Sequence, residues 1–357
     1  MFKCKPDYEA AMRRVNAFWE RADTDRPMVT FNYPKPGTAR FPEKKHDSLE
    51  EYWLDVEYRT ERDAYYAENT VFGAEAMPVI HPNLGPEIFS AWAGCPYIFG
   101  ADTTWTEPCV ADWDTDADRA VVDRGHRLFA KLEEYTKLLL QRGKGSFIAG
   151  LTDFHPGGDH LAALRDPAVL ATDLLDYPGE VKKKLSATYD EYFSAFDHFV
   201  EMIKKSQTPI STWTPIVSES TMYVPSNDFS CMISPTMFNE FFLEGITSEC
   251  RHYGNSIYHL DGPEALCHLD ALCSIKELDA IQWVPGAGNE QTGRWLSVYK
   301  KILSRGKGLQ ITTVVPDDLD LLIEHLPAKG VWLSMGGIRN EAEAAEVMRK
   351  ISRWGGR

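Results

Sequence analysis

A chain of 357 residues, 43% apolar and 25% charged, has the composition of a globular protein, long enough for one large domain or two smaller ones. A formal charge of -15 argues against a general basic surface for nucleic acid or anionic membrane, and no apolar run approaches the ~20 residues of a bilayer span. Seven cysteines without a CxxC pair fit reduced thiols, and the N-terminal stretch lacks the apolar core of a secretion signal, so a cytoplasmic location is expected.

In chain order, Asp7 marks the start of a helix whose apolar stripe is Met12, Val15, Phe18 and Trp19. A first strand is expected from Pro27 to Tyr33, followed by a Pro/Gly/Lys-rich loop. A long helix is then expected from Ser48 to Asn69, with Ser48 as cap and Glu51 three residues on. Ala76 to Leu84 reads as the second strand. The stretch from Ile88 to Asp118 carries Trp92, Trp105 and Trp113 between turn residues and reads as an irregular, aromatic-rich insertion. A helix from Arg119 to Gln141 ends at Gly143 and Gly145. Ser146 to Leu151 is the third strand, and helices follow, two of them opened by Asp166-Pro167 and Tyr177-Pro178.

Ile210 to Val217 reads as the fourth strand, and Ser234-Pro235 opens a helix that stops before Gly254. Ser256 to His259 and Ala280 to Val284 are two short β-type runs flanking a segment with Leu266, Leu269 and Leu272 at helical spacing, a β-α-β unit. Leu309 to Val315 and Val331 to Ser334 complete eight strands, with helices between and after them. That alternation predicts an α/β fold, a (β/α)8 TIM barrel spanning 1–357 as a single domain, with an N-terminal helical extension and the aromatic-rich insertion.

In such a barrel the loops at the carboxyl ends of the strands converge over one mouth. Asp153, His155 and Asp159 follow the third strand, Glu219 the fourth, His259 and Asp261 the fifth, Gln282 and Trp283 the sixth. A mouth so furnished can hold a divalent metal through His259 and Asp261, or move protons with carboxyl and imidazole groups. Glu219, Asp153, His155 and Tyr223 are the catalytic candidates. Asp159, Asp228, Gln282, Trp283, Trp213 and Trp105 are the substrate-binding ones, the tryptophans as an aromatic rim. Cys267 and Asp317-Asp318 are read as packing and as a helix N-terminus.

The same residues carry a resemblance. Asp228 and SPTMFNEFF (Ser234–Phe242), then GNSIYHLDG, LDAIQWVPG and GVWLSMGGI, with RPMVTFNYP and NLGP earlier, resemble the uroporphyrinogen decarboxylase superfamily, moderately specifically from Ile210 onward. That superfamily contains the decarboxylase and zinc-dependent methyltransferases that move methyl groups to or from a corrinoid on a separate protein. The decarboxylase resemblance would imply an arginine-bearing segment after the first strand. Here NYPKPGTAR has Arg40 alone, which disfavours a multi-anionic porphyrinogen. The methyltransferases' His-x-Cys pair appears as His259-Leu260-Asp261, and their later cysteine falls at about Gly336. The resemblance therefore implies a harder zinc site of His259, Asp261 and a third ligand such as Glu219, suited to demethylating a small methoxy or methylamino compound with a cobamide on a partner protein. The alternative is a corrinoid-independent lyase or hydrolase, decarboxylase included, acting on a sugar or carboxylate by acid-base chemistry.

Overall fold

The computed structural model describes residues 2–354. Thirteen strands are assigned among them: β1 Met28–Pro34, β2 Thr70–Ala74, β3 Val79–Ile80, β4 Tyr97–Phe99, β5 Thr104–Thr106, β6 Ile148–Ala149, β7 Ile210–Ser211, β8 Val217–Ser218, β9 Met222–Tyr223, β10 Asn255–Asp261, β11 Ala280–Val284, β12 Gly308–Val314 and β13 Val331–Met335. The main sheet has seven strands in the order β2-β1-β13-β12-β11-β10-β9, all parallel except β2, which runs antiparallel to β1. A parallel pair, β3–β6, continues the wall, and Leu151 N–H donates to Ser211 O (2.8 Å) to bring in β7. The result is a barrel-like α/β fold. Among the described residues no ladder joins β1 to β3.

Side-chain alternation along the parallel strands separates two cores. Met28, Ile257, Ala280 and Trp332 turn inward and pack with the first helix and the amino-terminal half. Val29, Tyr258, Leu260, Ile281, Trp283 and Leu333 turn outward against the covering helices. Period two thus decides that His259, Asp261 and Gln282 face the lumen.

The helices follow their local chemistry closely. Tyr8–Trp19 buries Met12, Val15, Phe18 and Trp19, although Asp7 does not cap it and accepts instead from Lys5 Nζ (3.2 Å). Ser48 Oγ accepts from Glu51 N (3.1 Å), while the expected long helix divides into Leu49–Leu54 and Val56–Glu68 because Asp55 leaves helical geometry and caps the second piece through Tyr58 N (3.1 Å). Asp166 caps Pro167–Asp176, and Pro178 opens the 27-residue helix Pro178–Lys204. The helix expected from Arg119 starts only at Arg127. The tryptophan-rich insertion forms the short helix Ile88–Trp92 and the β4–β5 hairpin.

The region expected as one fourth strand from Ile210 to Val217 is broken. β7 turns back into antiparallel β8, and the chain re-enters the sheet as β9, which pairs with the start of β10 (Met222 beside Asn255). This reversal places Ser218 and Glu219 at the amino end of β9, the end opposite to the one where β10 delivers Asp261. No helix among the described residues is long and apolar enough to cross a membrane.

Candidate functional site

A cavity of 610 Å³ opens at the carboxyl ends of the strands, with Asp153, His155, Asp159, Trp213, Asp228 and His259 among its walls. Three local devices bring these groups together. Pro225 O accepts from His259 N (2.9 Å) and Ser226 bridges to His259, so the segment after β9 lies alongside β10 and delivers Asp228. The fully buried Tyr223 hydroxyl donates to Thr152 O (2.6 Å) and accepts from Phe154 N (2.9 Å), fixing the turn that carries Asp153. The Trp213 ring stands edge-on to both imidazoles, 5.5 Å from His259 and 6.4 Å from His155.

On the β10 side, His259, Asp261 and Asp228 each offer a ligand atom, and these atoms lie within 4.8 Å of one another. Asp261 Oδ1 is buried without a hydrogen-bond partner, and burial foremost raises its carboxyl, against the lowering effect of His259. An orphaned buried carboxylate oxygen beside an imidazole and a second carboxylate is a donor set that fits zinc or another divalent ion. His259 Nδ1 bonds to Gln282 Oε1; Gln282 Nε2 donates to Gln310 Oε1 (2.7 Å), and Gln310 Nε2 donates to Ser334 Oγ (2.8 Å). The relay ends at a hydroxyl that donates or accepts; the Gln282 amide engages Nδ1 and leaves Nε2 as the ring nitrogen outside the relay.

On the β6 side, His155 Nε2 lies 2.6 Å from Asp153 Oδ1. Burial acts to lower the His155 pKa, but the charge and hydrogen bond of Asp153, with Asp159 behind it, overcome this and raise it to about 9. His155 Nδ1 is buried with no partner. Asp159 accepts from Phe229 N (2.9 Å), and Ser226 Oγ lies 3.3 Å from both Asp159 Oδ2 and Asp228 Oδ1, linking the two sides. Burial and then Asp228 raise the Asp159 carboxyl to about 6. His160, also at the wall, is lowered to about 3 by burial and Lys184 and is neutral, its Nδ1 2.8 Å from Ser90 Oγ.

Five sequence candidates take other positions. Glu219 is exposed at the opposite end of the strands and accepts from Asn16 Nδ2 (3.3 Å), away from the cavity, and Asp228 instead stands beside His259 and Asp261. The reversal at β7–β8 is the physical reason. Tyr223 is a buttress with both faces of its hydroxyl occupied by backbone. Trp283 is wholly buried on the outward face of β11, 4.9 Å from the Trp295 ring, instead of at the rim. Trp105 is 45% exposed on the β4–β5 hairpin, where its neighbour Thr106 reaches the cavity and it does not. Gln282 touches His259 and the amide relay, not the cavity wall. Gln310 and Ser226 were missed. A lone glutamine in the apolar strand GLQITTV, in register with Gln282, is the signal that points to the first.

No protein-family model matches the chain. No curated protein matches it. Twenty-two solved chains share its fold, among them a methyltransferase from Methanosarcina mazei, which is 11% identical over 99% of both chains with a TM-score of 0.61. At that identity the likeness is one of fold, and it extends along the whole described wall of strands and helices.

Proposed function

We propose that the chain demethylates a small methoxy or methylamino compound, with zinc held by His259, Asp261 and Asp228 and a corrinoid on a partner protein taking the methyl group. The observation that carries this reading is the convergence of His259, Asp261 and Asp228, whose ligand atoms lie within 4.8 Å of one another, with one carboxylate oxygen buried and without a partner. The fold shared with a methyltransferase from Methanosarcina mazei, and the resemblance to the uroporphyrinogen decarboxylase superfamily, support it. They also support reading the strand segments as one (β/α)8 wall in a single domain.

Held by His259, Asp261 and Asp228, zinc would supply Lewis acidity at this site. The chain's own residues do the rest. The carboxylate of Asp153 holds His155 as imidazolium at neutral pH, so Nδ1–H is the proton given to the heteroatom as it keeps the electron pair of the breaking bond to methyl. Asp159, with a value of about 6, is the neighbouring carboxyl that exchanges protons with solvent near neutrality. Trp213 separates the two imidazoles and supplies an apolar face for the methyl-bearing end of the substrate. A cavity of 610 Å³ suits a small molecule and leaves a macrocycle outside, approaching over half-exposed Met232 at the rim.

A second reading, a corrinoid-independent lyase or hydrolase, is favoured by one observation: the Asp153–His155 pair and Asp159 form an acid-base group that stands without a metal. The deciding experiment is elemental analysis of zinc-supplemented wild type beside His259→Ala and Asp261→Ala, followed by methyl transfer to free cob(I)alamin from a pool of methoxy and methylamino compounds. The expected outcome is about one zinc per chain in wild type, lost in both variants, with methylcobalamin formed by wild type alone. A folded wild type that binds no zinc would overturn the metal site. Zinc without methyl transfer from any donor would move the assignment to acid-base chemistry.

A further inference from the structure

A second cleft, of 350 Å³, lies where no ladder joins β1 to β3, under the helix Val56–Glu68, with Asn32, Arg59, Arg62, Asp63, His81 and Asn83 in its walls. Arg59 is 4% exposed. Its Nη1 donates to Trp53 O (2.8 Å), and the guanidinium carbon sits 4.8 Å from the Trp53 ring and 5.4 Å from the Tyr135 ring. Nε has no hydrogen-bond partner, and among the described residues the guanidinium forms no ion pair.

The fold pairs the buried guanidinium of Arg26 and the partly buried one of Arg165 with carboxylates. Arg26, 8% exposed, is held by both oxygens of Glu75 (2.7 and 2.8 Å), and Arg165 by Asp173 (2.7 and 3.2 Å). Aromatic faces offset part of the cost of burying the Arg59 charge, but they leave its in-plane N–H edge without an acceptor. The carboxylate in the cleft does not supply one, because Asp63 is engaged by Arg62 (2.8 Å). Two guanidiniums against one carboxylate leave the cleft with one positive charge.

The remaining walls add donors and no further negative charge. Asn83 Oδ1 accepts from Gly85 N (2.8 Å), which leaves its NH2 group free. Burial lowers the His81 pKa, against the raising effect of Asp153, so its imidazole is neutral at pH 7. A planar guanidinium edge without an acceptor beside a free amide NH2, in a cleft of net positive charge, is the arrangement that bidentate oxyanion recognition requires.

We propose that this cleft binds a small oxyanion group, a carboxylate or a phosphate, between the free edge of Arg59 and Asn83 Nδ2. The site does not depend on zinc at His259 or on methyl transfer. It lies across the His81–Asn83 segment from the main cavity, since Thr152 Oγ1 donates to Pro82 O (2.9 Å) one residue before Asp153.

The test is calorimetric titration with sodium acetate and, separately, inorganic phosphate, at ionic strength matched with sodium chloride. Saturable binding of either anion is expected, the responding arm telling carboxylate from phosphate. Asn83→Asp keeps the acceptor for Gly85 while placing a carboxylate against the anion, and it should weaken binding at least tenfold with the fold intact by circular dichroism. Arg59→Gln, if folded, should do the same. Absence of saturable binding of both anions to wild type, or equal affinity in Asn83→Asp, would overturn the proposal.

Discussion

Among its neighbours, Asp153 does most to hold the proton on His155. The imidazole's value of about 9 lies above the ordinary 6.5, so the imidazolium contributes stability that is fully present below pH 6.5 and is lost as pH rises through about 9. Asp153→Asn removes the charge and leaves burial to act in the opposite direction. The His155 titration, followed by NMR of the imidazole, is therefore expected to fall by more than ~1 unit, and the alkaline limb of turnover to fall with it. An unmoved titration would show that Asp159 and the other surrounding carboxylates hold the proton without Asp153. An acid limb near 6 is expected from Asp159, which burial and Asp228 keep above the usual carboxylate range.

At the scale of elements, four adjacent strands cooperate to fix one imidazole. His259 on β10, Gln282 on β11 and Gln310 on β12 stand in register across the wall, and Ser334 on β13 closes the relay. Gln310→Leu leaves the Gln282 NH2 unpaired and free to rotate its oxygen away from His259. Zinc affinity, measured by competition with a chelator, should fall by about 10- to 100-fold while the sheet remains folded. An unchanged affinity would mean that the tautomer is set by the metal and not by the relay. The same strands show what alternation alone conveys. His259, Asp261 and Gln282 are lumen-facing at period two, whereas Trp283, one residue on, points outward to Trp295, so Gln282 and Trp283 cannot share the mouth.

At the scale of the whole molecule, the two cores meet through this sheet, and Trp283 is among the largest side chains buried in the outer one. Trp283→Ala is expected to cost about 3–5 kcal/mol in denaturant unfolding through cavity formation, without altering metal content in the variant that still folds. A small loss would show that the covering helices close over the vacated space. Much of this architecture was legible in the chain. The cap at Ser48, the Asp166-Pro167 helix start, prolines at helix starts and the apolar runs from Ser256 onward are local signals, because each rests on hydrogen bonds or sterics within a few residues. They yielded the barrel-like α/β reading and the lumen-facing His259 and Asp261. Pairing at long range decided the rest. Whether Ile210–Val217 runs on or folds back depends on its partners in the sheet, and that choice sent Glu219 to the far end and Asp228 to the side of His259 and Asp261. Likewise, Arg59 has no local feature that marks it, because being unpaired is a property of everything around it and not of its neighbours in sequence.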